Sequence, residues 1–235
     1  MRDLVIVGAG GFARETAAAV HAVNQDRPTW RLLGFLDDDP ALAGSSRAGL
    51  PILADTGALT GAPPAGAPDL TDAAVLVCVG NPRDYAARRR VVRRLGLPTD
   101  RYATVVHPAA QVGAGSRVGP GSVLLAGTVL TADVSVGAHV AVMPHAVLTH
   151  DDRVEDYVTI ASGVRLGGGA VLREGAYVGA GALLREGVTV GSWSLVGMGS
   201  VVLRDVPPGQ VWAGNPARWL RAAHPTEPAP VPALP

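Results

Sequence analysis

From Val106 to Val202 every sixth residue is aliphatic, running Val106, Val112, Val118, Leu124, Leu130, Val136, Val142, Leu148, Val154, Ile160, Leu166, Leu172, Val178, Leu184, Val190, Val196 and Val202. The fifth place of most six-residue units is small or β-branched, as at Ala110, Ser122, Thr128, Val140, Ala146 and Val164, with Asp152 the charged exception. Glycine recurs at the second or fourth place, as at Gly113, Gly115, Gly119 and Gly121. A helix needs a period of 3.6 and an alternating strand a period of 2, so neither explains this run. A period of six suits one short strand plus one turn, and three such units close a triangular coil. The aliphatic that opens each unit then points inward and stacks on its equivalent three units later.

Upstream the pattern changes. Leu4–Val7, followed by Gly8, Gly10, Gly11 and an alanine-rich stretch to Val20, reads as strand, glycine turn and helix. Leu32–Leu36 is a second strand ending on Asp37, Asp38 and Asp39. Ala74–Val79 is a third, closing on Gly80 and Asn81, and a helix follows from Tyr85 to Leu95. Strands alternating with helices predict a small parallel α/β domain with ligands at the carboxyl ends of its strands. The expected division is an α/β domain over 1–105, a parallel coil over 106–221 and a proline-rich tail over 222–235, with a surface loop at 61–68. The basic run Arg88, Arg89, Arg90, Arg93 and Arg94 reads as a solvated helix surface rather than a nucleic-acid patch.

Composition narrows the chemistry. Among 235 residues, 20 Lys and Arg balance 20 Asp and Glu, which gives no general pull toward nucleic acid or an anionic membrane. Cys78 is the lone cysteine, so no intrachain disulfide forms and a reducing compartment fits. The short apolar start lacks the features of a signal peptide, and no apolar run is long enough to insert in a membrane, so the expectation is cytoplasmic. With 30 glycines and only 2 Phe and 4 Trp, the core must be built from small aliphatic side chains.

Two places carry candidate chemistry. The run Gly8 to Ala13 matches a G-x-G-x-x-G/A turn, which presents backbone amides and a helix N-terminus to a diphosphate. Taken alone it serves NAD, with Asp37 on a ribose, or another nucleotide, or only the turn itself. Of the six histidines, His150 stands next to Asp151 and Asp152. An imidazole suits a general base, and a neighbouring carboxylate raises its basicity. His145 is the main rival base and His139 a more remote one; both read as surface or interface residues. Gly168 stacks over His150 one coil later, where a glycine leaves room for a thioester and exposes backbone amides to an oxyanion. Ala180 and Met198 form another stacked column, on a different edge.

The six-residue units, together with the closing segment through Gly214, Asn215, Pro216, Ala217 and Arg218, resemble the hexapeptide-repeat acyltransferases, which fold as left-handed parallel β-helices. Joined to a Rossmann-like N-terminal domain, the coil is similar to the sialic-acid O-acetyltransferase and UDP-4-amino-sugar N-acetyltransferase group, over about residues 3 to 221. The resemblance implies an acetyl-CoA-dependent acetyltransferase acting on a nucleotide-linked sugar, without a metal, assembled as a homotrimer with active sites between subunits. It implies His150 as the base with Asp151 as its partner, and Gly10, Gly11, Phe12, Asp37, Asp38 and Gly80 at the acceptor. Thr159, Gly168, Ala180 and Met198 are the implied coenzyme contacts, with Phe12, Thr159 and Met198 departing from residues common among relatives. A free aminoglycoside-like acceptor stays open, as does a non-catalytic scaffold.

Overall fold

The structure, a computed structural model, describes residues 1–61, 66 and 68–223. The tail from 224 onward and most of the expected 61–68 loop lie outside the described residues. The first half contains β1 (Arg2–Val7), α1 (Gly11–Asp26), β2 (Trp30–Leu36), β3 (Ser46–Arg47), β4 (Leu50–Ala54), β5 (Ala74–Val77) and α2 (Ala87–Leu95). They form a sheet of order β3-β4-β2-β1-β5, parallel except for the β3–β4 pair. Alternation along β1 explains the layering: Leu4 and Ile6 pack with Ala13, Ala17 and Val20 of α1, whereas Val5 and Val7 pack with Val92 and Leu95 of α2. A parallel sheet buried on both faces needs such continuous apolar strands. The short pair β3 and β4, interrupted by Pro51, gave no periodic signal.

The second half is the coil. From β6 (Val105–Val106) to β22 (Val201–Val202) the chain forms seventeen strands of two residues each. Each strand up to Leu183–Leu184 pairs in parallel with the strand 18 residues on, as in Val129 with Val147 and Thr159 with Tyr177. The strands stack into three faces that enclose one column of side chains: the first face holds Val129, Val147 and Leu183, the second Ser135, Arg153 and Thr189, and the third Val123, Thr159 and Tyr177. From Leu124 onward every first-place aliphatic is buried, and so is every fifth-place residue from Ser122 to Ser200. The hairpin of β23 (Gln210–Gly214) and β24 (Ala217–Ala222) extends the third face.

From Gly115 to Gly199 each corner turns through one residue in the left-handed region, always at the fourth place of the unit. Gly115, Gly121, Gly127, Gly163, Gly169, Gly175, Gly181, Gly187 and Gly199 hold it, and so do Asp133, His139, His145, Asp151, Tyr157 and Trp193, with φ between 54° and 73°. A side chain at positive φ costs conformational energy, which is why glycine dominates there.

The α/β domain docks on the third face and on the corner leading into it. Val105, Val123 and Leu125 of the coil share one apolar cluster with α1. From the corner, Tyr85 stacks on Trp193 at 6.4 Å between centroids and donates its hydroxyl to Trp193 O at 2.7 Å. His139 lies between Tyr102 and Tyr157, with ring centroids at 4.5 and 5.2 Å, and burial pushes its pKa down to about 4. His139 is therefore a neutral interface residue. The basic run needs a correction: Arg88 and Arg89 are buried, because α2 presses that side against the coil. Among the described residues no helix is long and apolar enough to cross a membrane.

Candidate active site

At the carboxyl ends of β1, β2 and β5 the sheet opens a pocket of about 390 Å³. Gly10, Gly11, Phe12, Asp37, Asp38 and Gly80 all line it, joined by Thr56 and Asn81, which the sequence reading did not single out. Gly8, at φ 96°, holds its turn so close that an added Cβ would stand 3.1 Å from Cys78 O. Gly10 precedes the first turn of α1 with no capping side chain, so the helix N-terminus faces the pocket with unsatisfied amides. The carboxylates have protein partners: Asp37 accepts from Ala9 N at 2.8 Å and braces the glycine turn, while Asp38 accepts from Thr56 N and Oγ1 and pairs with Arg94. Thr56 sits in a short turn after β4, a region with no motif to announce it.

Phe12 and Gly80 also belong to a second, narrower cleft of about 160 Å³ between the domains. Its other wall is the third face of the coil, with Thr159, Tyr177, Ser162 and Ala180. Of the implied coenzyme contacts, Thr159 and Ala180 are here. Met198 stacks on Ala180, with Gly199 N donating to Ala180 O at 2.8 Å, and is 80% exposed.

His150 stands elsewhere, at the corner between the first and second faces. Its Nδ1 lies 2.9 Å from Asp151 Oδ2, and that hydrogen bond raises the imidazole pKa. With Nδ1 held by a carboxylate, Nε2 is the nitrogen left to exchange a proton. Gly168 is directly beneath the ring: a Cβ there would stand 2.4 Å from His150 Cε1. Asp152, next in sequence, is fully buried and accepts from Thr149 N and Ala170 N, both at 2.8 Å. Burial raises its pKa to about 7. Cys78 is buried under the glycine turn with its thiol pKa pushed up to about 12, which makes it a poor nucleophile. A single chain thus gathers two groups: His150, Asp151 and Gly168 on one corner, and the pocket, cleft, Thr159, Ala180 and Met198 around another.

Comparison with known proteins follows the same division. Residues 3–95 match the family model of the PglD N-terminal domain. The acetyltransferase domain of PglB from Neisseria gonorrhoeae FA1090 superposes with a TM-score of 0.80 at 30% identity, covering 94% of this chain and 100% of that one. A second structure of that domain, with acetyl coenzyme A, gives 0.79 at 30% identity over 93% and 99%. A histidine-to-asparagine mutant of perosamine N-acetyltransferase from Caulobacter crescentus, in complex with CoA and GDP-perosamine, gives 0.78 at 27% identity over 94% and 97%. A search of curated proteins found no match. The left hand of the coil is that of these structures, and the chain belongs to the PglB/PglD-type family of hexapeptide-repeat acetyltransferases.

Proposed function

We propose that this protein transfers the acetyl group of acetyl-CoA to an amine of a nucleotide-linked sugar, with His150 as general base. The observation that carries the reading is the exposed His150, fixed through Nδ1 by Asp151 above a glycine that keeps the space beside the ring clear. The relatives supply the substrate class: one structure holds acetyl coenzyme A and another CoA with GDP-perosamine. The pocket at the glycine turn suits the nucleotide diphosphate, since helix-terminal amides favour a negative group. The cleft that continues from it past Phe12 and Gly80 leads the sugar toward Thr159 and Ala180.

In the reaction the acceptor nitrogen attacks the thioester carbonyl while His150 Nε2 takes its proton. The C–S bond then breaks and the CoA thiolate is reprotonated. No acyl-enzyme forms; both substrates are bound together. The base and the cleft are on different corners, so a complete site takes His150 from one subunit and the cleft from the next. A trimer packed on the first face provides this, because that face presents Val129, Val147, Leu183 and Val201 outward, with Arg165 between them and Gln111 at the edge. The second face is more polar there, with Arg117, Ser135, Arg153 and Thr189 beside a single valine, Val171.

The test is incubation with acetyl-CoA and a panel of nucleotide-linked amino sugars, read by mass spectrometry. One panel member should gain an acetyl group, and His150→Ala should abolish the gain with the oligomer intact. Near-normal turnover in that variant would remove His150 from the mechanism.

A further inference from the structure

Arg88 is 2% exposed, and among the described residues no carboxylate pairs with it. Its guanidinium donates to Val79 O at 3.4 Å, Tyr157 O at 2.9 Å, Val158 O at 3.1 Å and Thr159 Oγ1 at 2.8 Å. Its Nε–H is buried and has no acceptor among the described residues. A buried cation with neither counter-ion nor full hydrogen bonding is expensive to fold. Burial lowers its pKa only to about 10, so it stays charged at neutral pH. The charge lines the interdomain cleft together with Thr159, and its field is directed at whatever negative charge develops there.

Thr159 passes that field on. A hydroxyl has one hydrogen to donate and lone pairs to accept with. Here the oxygen accepts from a cation, so its own hydrogen must be donated elsewhere, and among the described residues no acceptor is bonded to it. A hydroxyl polarised by a guanidinium is also a stronger donor. We propose that Thr159 Oγ1–H donates to the carbonyl oxygen of the bound acetyl thioester, and that Arg88 is the positioning residue that fixes and polarises it. This rests on the acetyl-transfer reading above. As the acceptor nitrogen bonds to the carbonyl carbon, the C=O π electrons move onto oxygen, where the Thr159 hydrogen meets them. The nitrogen's proton goes to His150, the electrons return, and the C–S bond breaks with CoA thiolate leaving. The hydroxyl completes a two-donor oxyanion site with an amide at Gly168 of the neighbouring subunit.

Two measurements test this on the full-length protein. Thr159→Val keeps the shape and removes the donor; it should lower kcat about 100-fold with little change in KM for acetyl-CoA and no move in the pH profile. Arg88→Met should do much the same, Arg88→Lys should recover part of the loss, and the Arg88→Met/Thr159→Val double variant should be no worse than either alone. The second readout needs no acceptor: the infrared carbonyl band of isotope-labelled acetyl-CoA should move to lower frequency on binding, and lose that displacement in Thr159→Val. An unshifted band in the wild type, a shift retained in Thr159→Val, or kcat within twofold of wild type overturns the proposal, as does failure of acetyl-CoA to bind. A Thr159-dependent shift in a protein that acetylates no nucleotide sugar would leave the donor role standing and retire the acceptor assignment instead.

Discussion

At the scale of single residues, the site depends on neighbours that are small or short. His150 can lie against the next coil because Gly168 lacks a Cβ, and its partner Asp151 tolerates φ 63° as few side chains do. Gly168 is not itself in the left-handed region, so alanine there is conformationally allowed. The added methyl would instead displace the exposed imidazole from the position in which Asp151 holds it. Gly168→Ala should therefore leave the melting temperature within about 2 °C and lower kcat at least tenfold, checked by thermal denaturation beside steady-state kinetics. A variant as active as wild type would mean the ring works from another rotamer. The His150–Asp151 pair was legible in sequence because the two residues are adjacent. Thr56 and Asn81 were not, since each reaches the pocket through loop geometry alone.

At the scale of the element, the corner position carries information that composition hides. Where the fourth place departs from glycine, the side chain that replaces it often has work to do: Asp151 holds His150, and His139, Tyr157 and Trp193 receive the α/β domain. Sequence alone shows the broken glycine column, yet not which corner faces the other domain. Asp152 is the parallel case at the fifth place. Ser116 and Ser122 there bond the amide one coil later, to Val134 N and Val140 N, and the Asp152 carboxylate does the same to Ala170 N while also holding Thr149 N. It staples the His150 turn to the next coil. Its pKa rises from the ordinary 3.8 to about 7 through burial. The folded chain thus keeps a proton that the unfolded chain releases, and stability falls as pH climbs from about 4 to 7. Asp152→Asn has no such proton to lose. The excess of wild-type over Asp152→Asn melting temperature should be largest near pH 4 and shrink toward pH 8; a constant difference would show that the carboxylate ionises freely in the fold.

At the scale of the whole molecule, the proposed reaction requires two corners of one coil to meet across subunits. The apolar first face supplies the answer proposed above, and Leu183, 41% exposed on that face, is the side chain to test. Leu183→Glu should shift light-scattering mass from trimer to monomer and remove acetylation, with the β-sheet circular dichroism retained; a trimeric, fully active variant would place the interface elsewhere. The coil, its 18-residue register and its buried column follow from the sequence by itself, because a six-residue repeat of aliphatic and turn positions is a local instruction executed again at each corner. The glycine turn and the histidine–aspartate pair are local in the same sense. The tertiary structure alone decided the rest. Arg88 looked like one of several surface arginines and is buried, and Thr159 became its partner across 71 residues of sequence, only because the α/β domain docks on the third face. Docking is settled by the complementary shapes of two finished surfaces, and no periodicity along either stretch of chain encodes where they will meet.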